Sequence, residues 1–201
     1  MKARFTIGID EVGRGPIAGP VAVGAFVFLD EKAKKLFRGV KESKQLSELK
    51  REEWFVCIQQ AKNDRLVDFQ VTFQSEKIID GKGLSYAIRT ALKSSLNVVA
   101  RRNRIKVMQT KVLLDGGLKA PVAYVNQKTI IKGDEKEMTI ALASICAKVL
   151  RDRKMNLLGR KYSGYGFENH KGYGTRSHYA AIKKSGLLST HRRSFLKNIL
   201  S

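Results

Sequence analysis

Short apolar runs, broken by glycine, proline and acidic residues, set the grammar of this chain. Phe5 to Ile9 and Val21 to Leu29 are rich in β-forming residues and lie either side of a Gly/Pro segment. That pattern predicts two neighbouring antiparallel strands joined by a turn. Ser47 to Ala61 predicts a helix, with Ser47 as its cap and Leu49, Trp54, Ile58 and Ala61 as its apolar face. Leu66 to Phe73 predicts a further strand. From Gly83 to Ala100, Leu84, Ile88, Leu92, Leu96 and Val99 recur at helical spacing, with Lys and Arg opposite. Val112 to Leu114 is a short buried strand ending at Asp115-Gly116-Gly117, and Lys128 to Ile131 is another, ending at Gly133-Asp134. Met138 to Lys161 predicts a long helix, with Ile140, Ser144, Ala147, Leu150 and Met155 facing inward. The alternation of strands and helices gives an α/β class with an antiparallel opening hairpin. One domain over 1–201 is expected, of which about 162–201, rich in Gly, Tyr, Lys, Arg and His, is a basic C-terminal appendage.

Charge changes this picture most. The 201 residues carry 39 Lys and Arg against 18 Asp and Glu, a net charge of +21 with a pI near 10.2. Such an excess favours a polyanionic partner, such as nucleic acid or an anionic membrane surface, and nucleic acid is preferred over a chain that is merely soluble. Cys57 and Cys146 are far apart, in no metal-like spacing, and sit in apolar surroundings, so both read as buried structural thiols of a reducing compartment. The N-terminal apolar run is short and interrupted by acids, unlike a signal peptide. Nothing approaches about 18 uninterrupted apolar residues, so no membrane span is expected. A cytoplasmic protein follows, with a monomer as the default.

The acids are few, so their placement stands out. Asp10, Asp115 and Asp134 each end a short apolar run, and strand ends are where ligands bind in α/β sheets. Carboxylates gathered there repel one another unless cations neutralise them. Oxygen donors suit Mg2+ or Mn2+, and two such ions about 3.5–4 Å apart can drive phosphodiester hydrolysis. Asp134 fits a helix cap equally well, because Glu135, Glu137 and a helical pattern follow it. Asp10 and Glu11 pose a geometric question, since consecutive strand residues point to opposite faces. Gly13-Arg14-Gly15 follows them directly, a backbone free to approach a phosphate or sugar, although Gly15-Pro16 also suits a plain turn. Arg151-Asp152-Arg153 reads as a solvated or salt-bridged helix segment, with Lys148 and Asp152 at an i,i+4 spacing. His170, His178 and His191 lack metal-ligand spacing and read as structural or phosphate-facing.

Taken in order, several segments resemble ribonuclease HII, the type 2 ribonuclease H. They are Gly-Ile-Asp-Glu-Val-Gly-Arg-Gly-Pro at 8–16, Ser-Lys-Gln-Leu-Ser at 43–47, Leu-Asp-Gly at 114–116 and Lys-Gly-Asp at 132–134. Further along come Ala-Ser-Ile-Cys-Ala-Lys-Val-Leu-Arg-Asp-Arg at 143–153, Tyr-Gly-Phe-Glu-Asn-His-Lys-Gly-Tyr-Gly-Thr at 165–175 and His-Arg-Arg-Ser-Phe at 191–195. The resemblance implies a ribonuclease H-like fold, a central mixed β-sheet flanked by helices with a small helical C-terminal region. It implies a metal-dependent endonuclease that hydrolyses the RNA strand of RNA–DNA hybrids and nicks 5′ of single ribonucleotides in duplex DNA. The ends would be 3′-hydroxyl and 5′-phosphate, and the role ribonucleotide removal and RNA primer processing. By motif, Asp10, Glu11, Asp115 and Asp134 would be the metal-binding, catalytic acids for Mn2+ or Mg2+, two ions with substrate bound. Gly13, Arg14 and Gly15 would read the 2′-hydroxyl, Tyr173 would pack on the ribonucleotide sugar, and Lys44 would contact a phosphate.

Two other readings compete. A basic nucleic-acid-binding module explains the charge but gives no reason for acids at three run ends. A type 3 ribonuclease H normally carries an extra N-terminal domain and lacks the Gly-Arg-Gly signature. Two departures from the type 2 pattern stand out: Glu42 replaces the usual aspartate before Ser-Lys, and Asp80 to Gly83 lacks the usual leucine-asparagine pair.

Overall fold

A computed structural model describes residues 3–40 and 46–197 of the chain. Lys44, the expected phosphate contact, lies outside them. Five strands form one mixed sheet in the order β3-β2-β1-β4-β5. They are β1 (Phe5–Val12), β2 (Val21–Phe28), β3 (Val67–Gln74), β4 (Thr110–Asp115) and β5 (Gln127–Ile130). β1 pairs antiparallel with β2 as expected, and β2 with β3, while β1–β4 and β4–β5 are parallel. The helices are α1 (Glu48–Asn63), α2 (Glu76–Lys82), α3 (Leu84–Arg102), α4 (Gly133–Lys136), α5 (Met138–Lys161), α6 (Phe167–His170) and α7 (Arg176–Ser185).

β2 is buried at all eight positions because both faces of the sheet are covered. Val21, Val23, Ala25 and Val27 pack under α3 with Ile88, Leu92 and Leu96. Their alternates Ala22, Phe26 and Phe28 pack under α1 and α5 with Phe55, Ile58, Leu142 and Cys146. α5 lies close on the sheet at two glycines. A Cβ at Gly8 would collide with the backbone of Thr139, and one at Gly24 with the carbonyl of Ala143. That close approach brings the middle of α5 to the end of β1.

Three expectations need correction. Leu49 is 72% exposed, and the buried face of α1 is Phe55, Ile58 and Ala61. Leu49 and Ile58 are nine residues apart, which at about 100° per residue puts them on opposite sides of a helix. Cys57 is likewise exposed on α1, whereas Cys146 is buried and its thiol pushed far up by burial. Arg151 is no solvated residue; it has no exposed surface. The expected Lys148–Asp152 pair does form, at 2.8 Å. The Ser47 cap forms as well, its hydroxyl accepting from Lys50 N at 3.2 Å. Beyond α5, Tyr165, Phe167, Ile182 and Leu196 share a third apolar cluster with Ile17, Ala18 and Met155. The C-terminal helices are thereby packed against the β1–β2 loop.

Candidate active site

Strand register brings the first acids together. β1 and β4 run parallel with Ile9 opposite Leu114, so Asp10 and Asp115 follow side by side at adjoining strand ends. Parallel neighbours lie about 4.8 Å apart, and both side chains leave the sheet on the same face. That face is the one α5 covers, since Gly8 and Val12 on either side of Asp10 meet that helix and its apolar cluster. Ser144 on α5 hydrogen-bonds the Asp10 carboxyl. Glu11 leaves β1 on the opposite face, yet it lines the same cavity, because the chain turns at Gly13 and leaves the strand end open on both sides. Adjacent residues therefore serve one site from two faces.

The cavity, of about 390 Å3, is lined by Asp10, Glu11, Asp115, the loop from Val12 to Gly15, Arg51, Ser144, Ile145, Lys148 and Tyr173. Its electrostatics are those of crowded acids in a basic rim. Burial pushes the Asp10 carboxyl up to about 7; the Ser144 hydroxyl opposes the rise, and the charges of Glu11 and Asp115 add to it. Burial also raises Glu11, against a 2.7 Å hydrogen bond in which Arg14 donates to its Oε1. The other oxygen, Glu11 Oε2, is buried with no hydrogen-bond partner among the described residues. Asp115 Oδ1 accepts from the Gly133 N–H at 2.6 Å. An unpartnered buried carboxylate oxygen beside two more acids suits a hard divalent cation in donor type and in charge. Among the described residues, however, no three His, Cys, Asp or Glu side chains are gathered tightly enough to hold one as they stand.

Of the two readings of Asp134, strand end and helix start, the structure shows the helix start. β5 ends at Ile130, Lys132 adopts a left-handed φ of 55°, and Asp134 stands in the first turn of α4. It is fully buried and is not among the residues lining the cavity. The Gly-Asp-Glu run thus starts a helix, as its acidic first turn favours.

Tyr173 closes the cavity from the C-terminal side. It is 44% exposed, and a Cβ built on Gly15 would sit 3.7 Å from its ring. Beside it the three histidines form one cluster: His170 stacks on His178 with ring centroids 4.3 Å apart, and His178 Nε2 lies 3.1 Å from Nε2 of the tilted His191 ring. His191 Nδ1 accepts from the Leu188 N–H, so its proton is on Nε2 and points at His178. The His178 proton is then on Nδ1, donated to the Tyr173 carbonyl at 2.8 Å. These histidines are structural, and burial holds His178 down at about 4.

Ser144, Lys148, Arg51 and the buried Arg151 and Arg192 join the site or its supports without having been singled out from sequence for such a role. The helical pair Ser144 and Lys148, four residues apart, was the available signal: polar positions within the apolar stretch Ile140 to Leu150 of that helix.

A family model described as Ribonuclease HII matches residues 7–198. Ribonuclease HII of Clostridioides difficile (strain 630) is 42% identical over 193 residues, spanning 96% of this chain and 70% of that protein. Among solved structures, ribonuclease H2 of Pyrococcus horikoshii OT3 superposes with a TM-score of 0.71 at 28% identity, covering 97% of this chain and 96% of that one. Ribonuclease HII of Archaeoglobus fulgidus, solved in complex with PCNA, gives 0.72 at 26% identity over 94% and 93%. Fold, a family match over residues 7–198 and identity agree, so the chain belongs to the ribonuclease HII family and is a ribonuclease H endonuclease of ribonuclease H-like fold.

Proposed function

We propose that the enzyme, with Mn2+ or Mg2+, cuts the RNA strand of RNA–DNA hybrids and nicks duplex DNA on the 5′ side of a single embedded ribonucleotide. The observation that carries this reading is the shared cavity, which Asp10, Glu11 and Asp115 line together with Gly13-Arg14-Gly15 and Tyr173. A carboxylate cluster facing a backbone loop and an aromatic ring pairs phosphodiester chemistry with a reader of the sugar.

Asp10, Glu11 and Asp115 would hold the cation, with the unpartnered Glu11 Oε2 among the donors. Asp134 joins them on the strength of its Lys-Gly-Asp motif alone, and Lys44 is assigned to a phosphate on the same footing. Two ions are proposed with substrate bound. The chemistry such ions supply is activation of water and neutralisation of charge on the reacting phosphate. The loop at 13–15 binds the 2′-hydroxyl, which separates RNA from DNA, and Tyr173 stacks on the ribonucleotide sugar. Lys148 and Arg14 add positive charge at the cavity wall, where phosphates arrive. Water attacks phosphorus and the P–O3′ bond breaks. The preceding nucleotide keeps a 3′-hydroxyl and the ribonucleotide a 5′-phosphate.

The net charge of +21 supports a duplex partner, with residues 162–201 as a basic substrate-binding part. The proposed setting is a cytoplasmic monomer that removes ribonucleotides and processes RNA primers. Among the described residues no helix is long and apolar enough to cross a membrane. The test is substitution of the acids: Asp10→Asn, Glu11→Gln and Asp115→Asn should each lose cleavage while still binding substrate duplex in chelator. Cleavage by Asp10→Asn at the wild-type rate would overturn the assignment.

A further inference from the structure

Two arginines with no exposed surface, Arg151 and Arg192, flank the loop between β1 and β2. A buried guanidinium is costly and normally answers a carboxylate. Here the acceptors are backbone carbonyls. Arg192 donates from Nε to Gly19 O at 2.9 Å, from one terminal nitrogen to Arg14 O at 3.0 Å and from the other to Gly13 O at 2.7 Å. Arg151 donates from Nε to Pro20 O at 2.9 Å and from a terminal nitrogen to Lys171 O at 3.1 Å. Gly13, at φ 91°, passes directly over Arg151, and a Cβ there would collide with its Nε.

The consequence lies in the peptide planes. Peptide bonds among the described residues are trans, so each carbonyl and the next residue's N–H point in opposite directions. Drawing Gly13 O and Arg14 O onto the Arg192 guanidinium turns the N–H groups of Arg14 and Gly15 away from it, toward the side where residues 13–15 line the cavity. No described group accepts a hydrogen bond from either N–H. Arg192 is itself anchored. Its own N–H donates to Ile17 O at 2.8 Å. Asp80 of α2 accepts from the N–H groups of Arg193 and Ser194, both at 2.9 Å, and from the Ser194 hydroxyl.

We propose that Arg192 is a positioning residue for substrate discrimination: it fixes the 13–15 backbone so that the N–H groups of Arg14 and Gly15 meet the 2′-oxygen of a ribonucleotide. This rests on the reading of that loop as the 2′-hydroxyl reader, and extends it to a residue that touches no substrate. Arg192→Lys keeps the charge and the stem but has one nitrogen, which cannot bridge three carbonyls.

The experiment measures dissociation constants in chelator, so that nothing is cleaved, for matched duplexes carrying one ribonucleotide, one 2′-fluoro nucleotide or none. Wild type is expected to prefer the ribonucleotide duplex. Arg192→Ala and Arg192→Lys are expected to lose that preference, binding it no better than all-DNA duplex, whose affinity stays within about twofold. With metal, kcat on the ribonucleotide duplex should fall about 100-fold, the scale of a small misplacement at a reacting centre. Asp80→Ala, which frees the anchor and leaves the guanidinium, should show a smaller loss in the same direction. If Arg192→Ala does not fold, Arg192→Lys and Asp80→Ala carry the test. Wild-type preference in both of those variants, whatever their melting temperatures, would mean Arg192 only holds the fold together. No preference in wild type itself would sink the loop reading, and this proposal with it.

Discussion

Replacing Asp10 with asparagine is expected to stabilise the metal-free protein while removing its chemistry. Asp10 is 4% exposed, and its carboxyl is pushed from 3.8 up to about 7, first by burial and then by Glu11 and Asp115. The folded state therefore binds this proton more tightly than the unfolded chain does. Well below pH 3.8 both states are protonated and no cost arises. As pH rises to 7 only the unfolded chain gives up its proton readily, so metal-free stability falls through that window and stays low above it. The interval between 3.8 and about 7, at about 1.36 kcal/mol per pH unit, makes the full cost about 4 kcal/mol. Asparagine keeps the volume of the side chain and an oxygen for the Glu11 N–H, which donates to Asp10 Oδ1 at 2.8 Å, and it never ionises. Urea unfolding in chelator at pH 4 and pH 8 checks this. Asp10→Asn should nearly match wild type at the lower pH and exceed it by up to about 4 kcal/mol at the higher. Added Mg2+ or Mn2+ should then raise wild type and not the variant. An Asp10→Asn protein no more stable than wild type at pH 8 would refute the reasoning.

Three further outcomes are expected. Gly13→Ala forces a side chain into a left-handed backbone and into Arg151. With about 1–2 kcal/mol for the backbone and about 1.5–3 for the lost charged hydrogen bond, thermal melting should show a drop of about 10 °C. Tyr173→Ala should reduce kcat/KM on a one-ribonucleotide duplex by about 10–100-fold, the scale of one stacking contact, with little change in melting temperature because the ring is half exposed. A thiol reagent added to native protein should modify Cys57 and spare Cys146, whose thiol is buried and pushed up; rapid modification of both would contradict the packing of α5 on the sheet.

Much of the frame is legible in the sequence, and each misreading has its own physical cause. Asp115 ends β4 as read, whereas Asp10 lies two residues inside β1, which runs on to Val12 paired with β2, and strand register brings the two acids together. Asp134 looks alike in sequence but belongs to a helix start, since the signal for a strand end and for an N-terminal turn is the same acid after an apolar run. Arg151 is misread as part of a solvated or salt-bridged segment, and Arg192 is given no role, because local sequence does not reveal that carbonyls from a loop more than a hundred residues away will satisfy them. Leu49 and Cys57 fail for a simpler reason: periodicity gives an apolar face only when phase is anchored, and the aromatic Phe55 sets the phase of α1. The question left by adjacent Asp10 and Glu11 needs three dimensions, because the turn at Gly13 lets one cavity reach both faces of β1.

The most direct test of the central claim is a cleavage map on a duplex with one ribonucleotide in one labelled strand, run with Mn2+ or Mg2+ and with chelator. The account predicts one metal-dependent nick, immediately 5′ of the ribonucleotide, leaving a 3′-hydroxyl on the preceding deoxynucleotide, with matched all-DNA duplex intact. Cleavage on the 3′ side, cleavage in chelator, or tight binding without cleavage in either metal would contradict it.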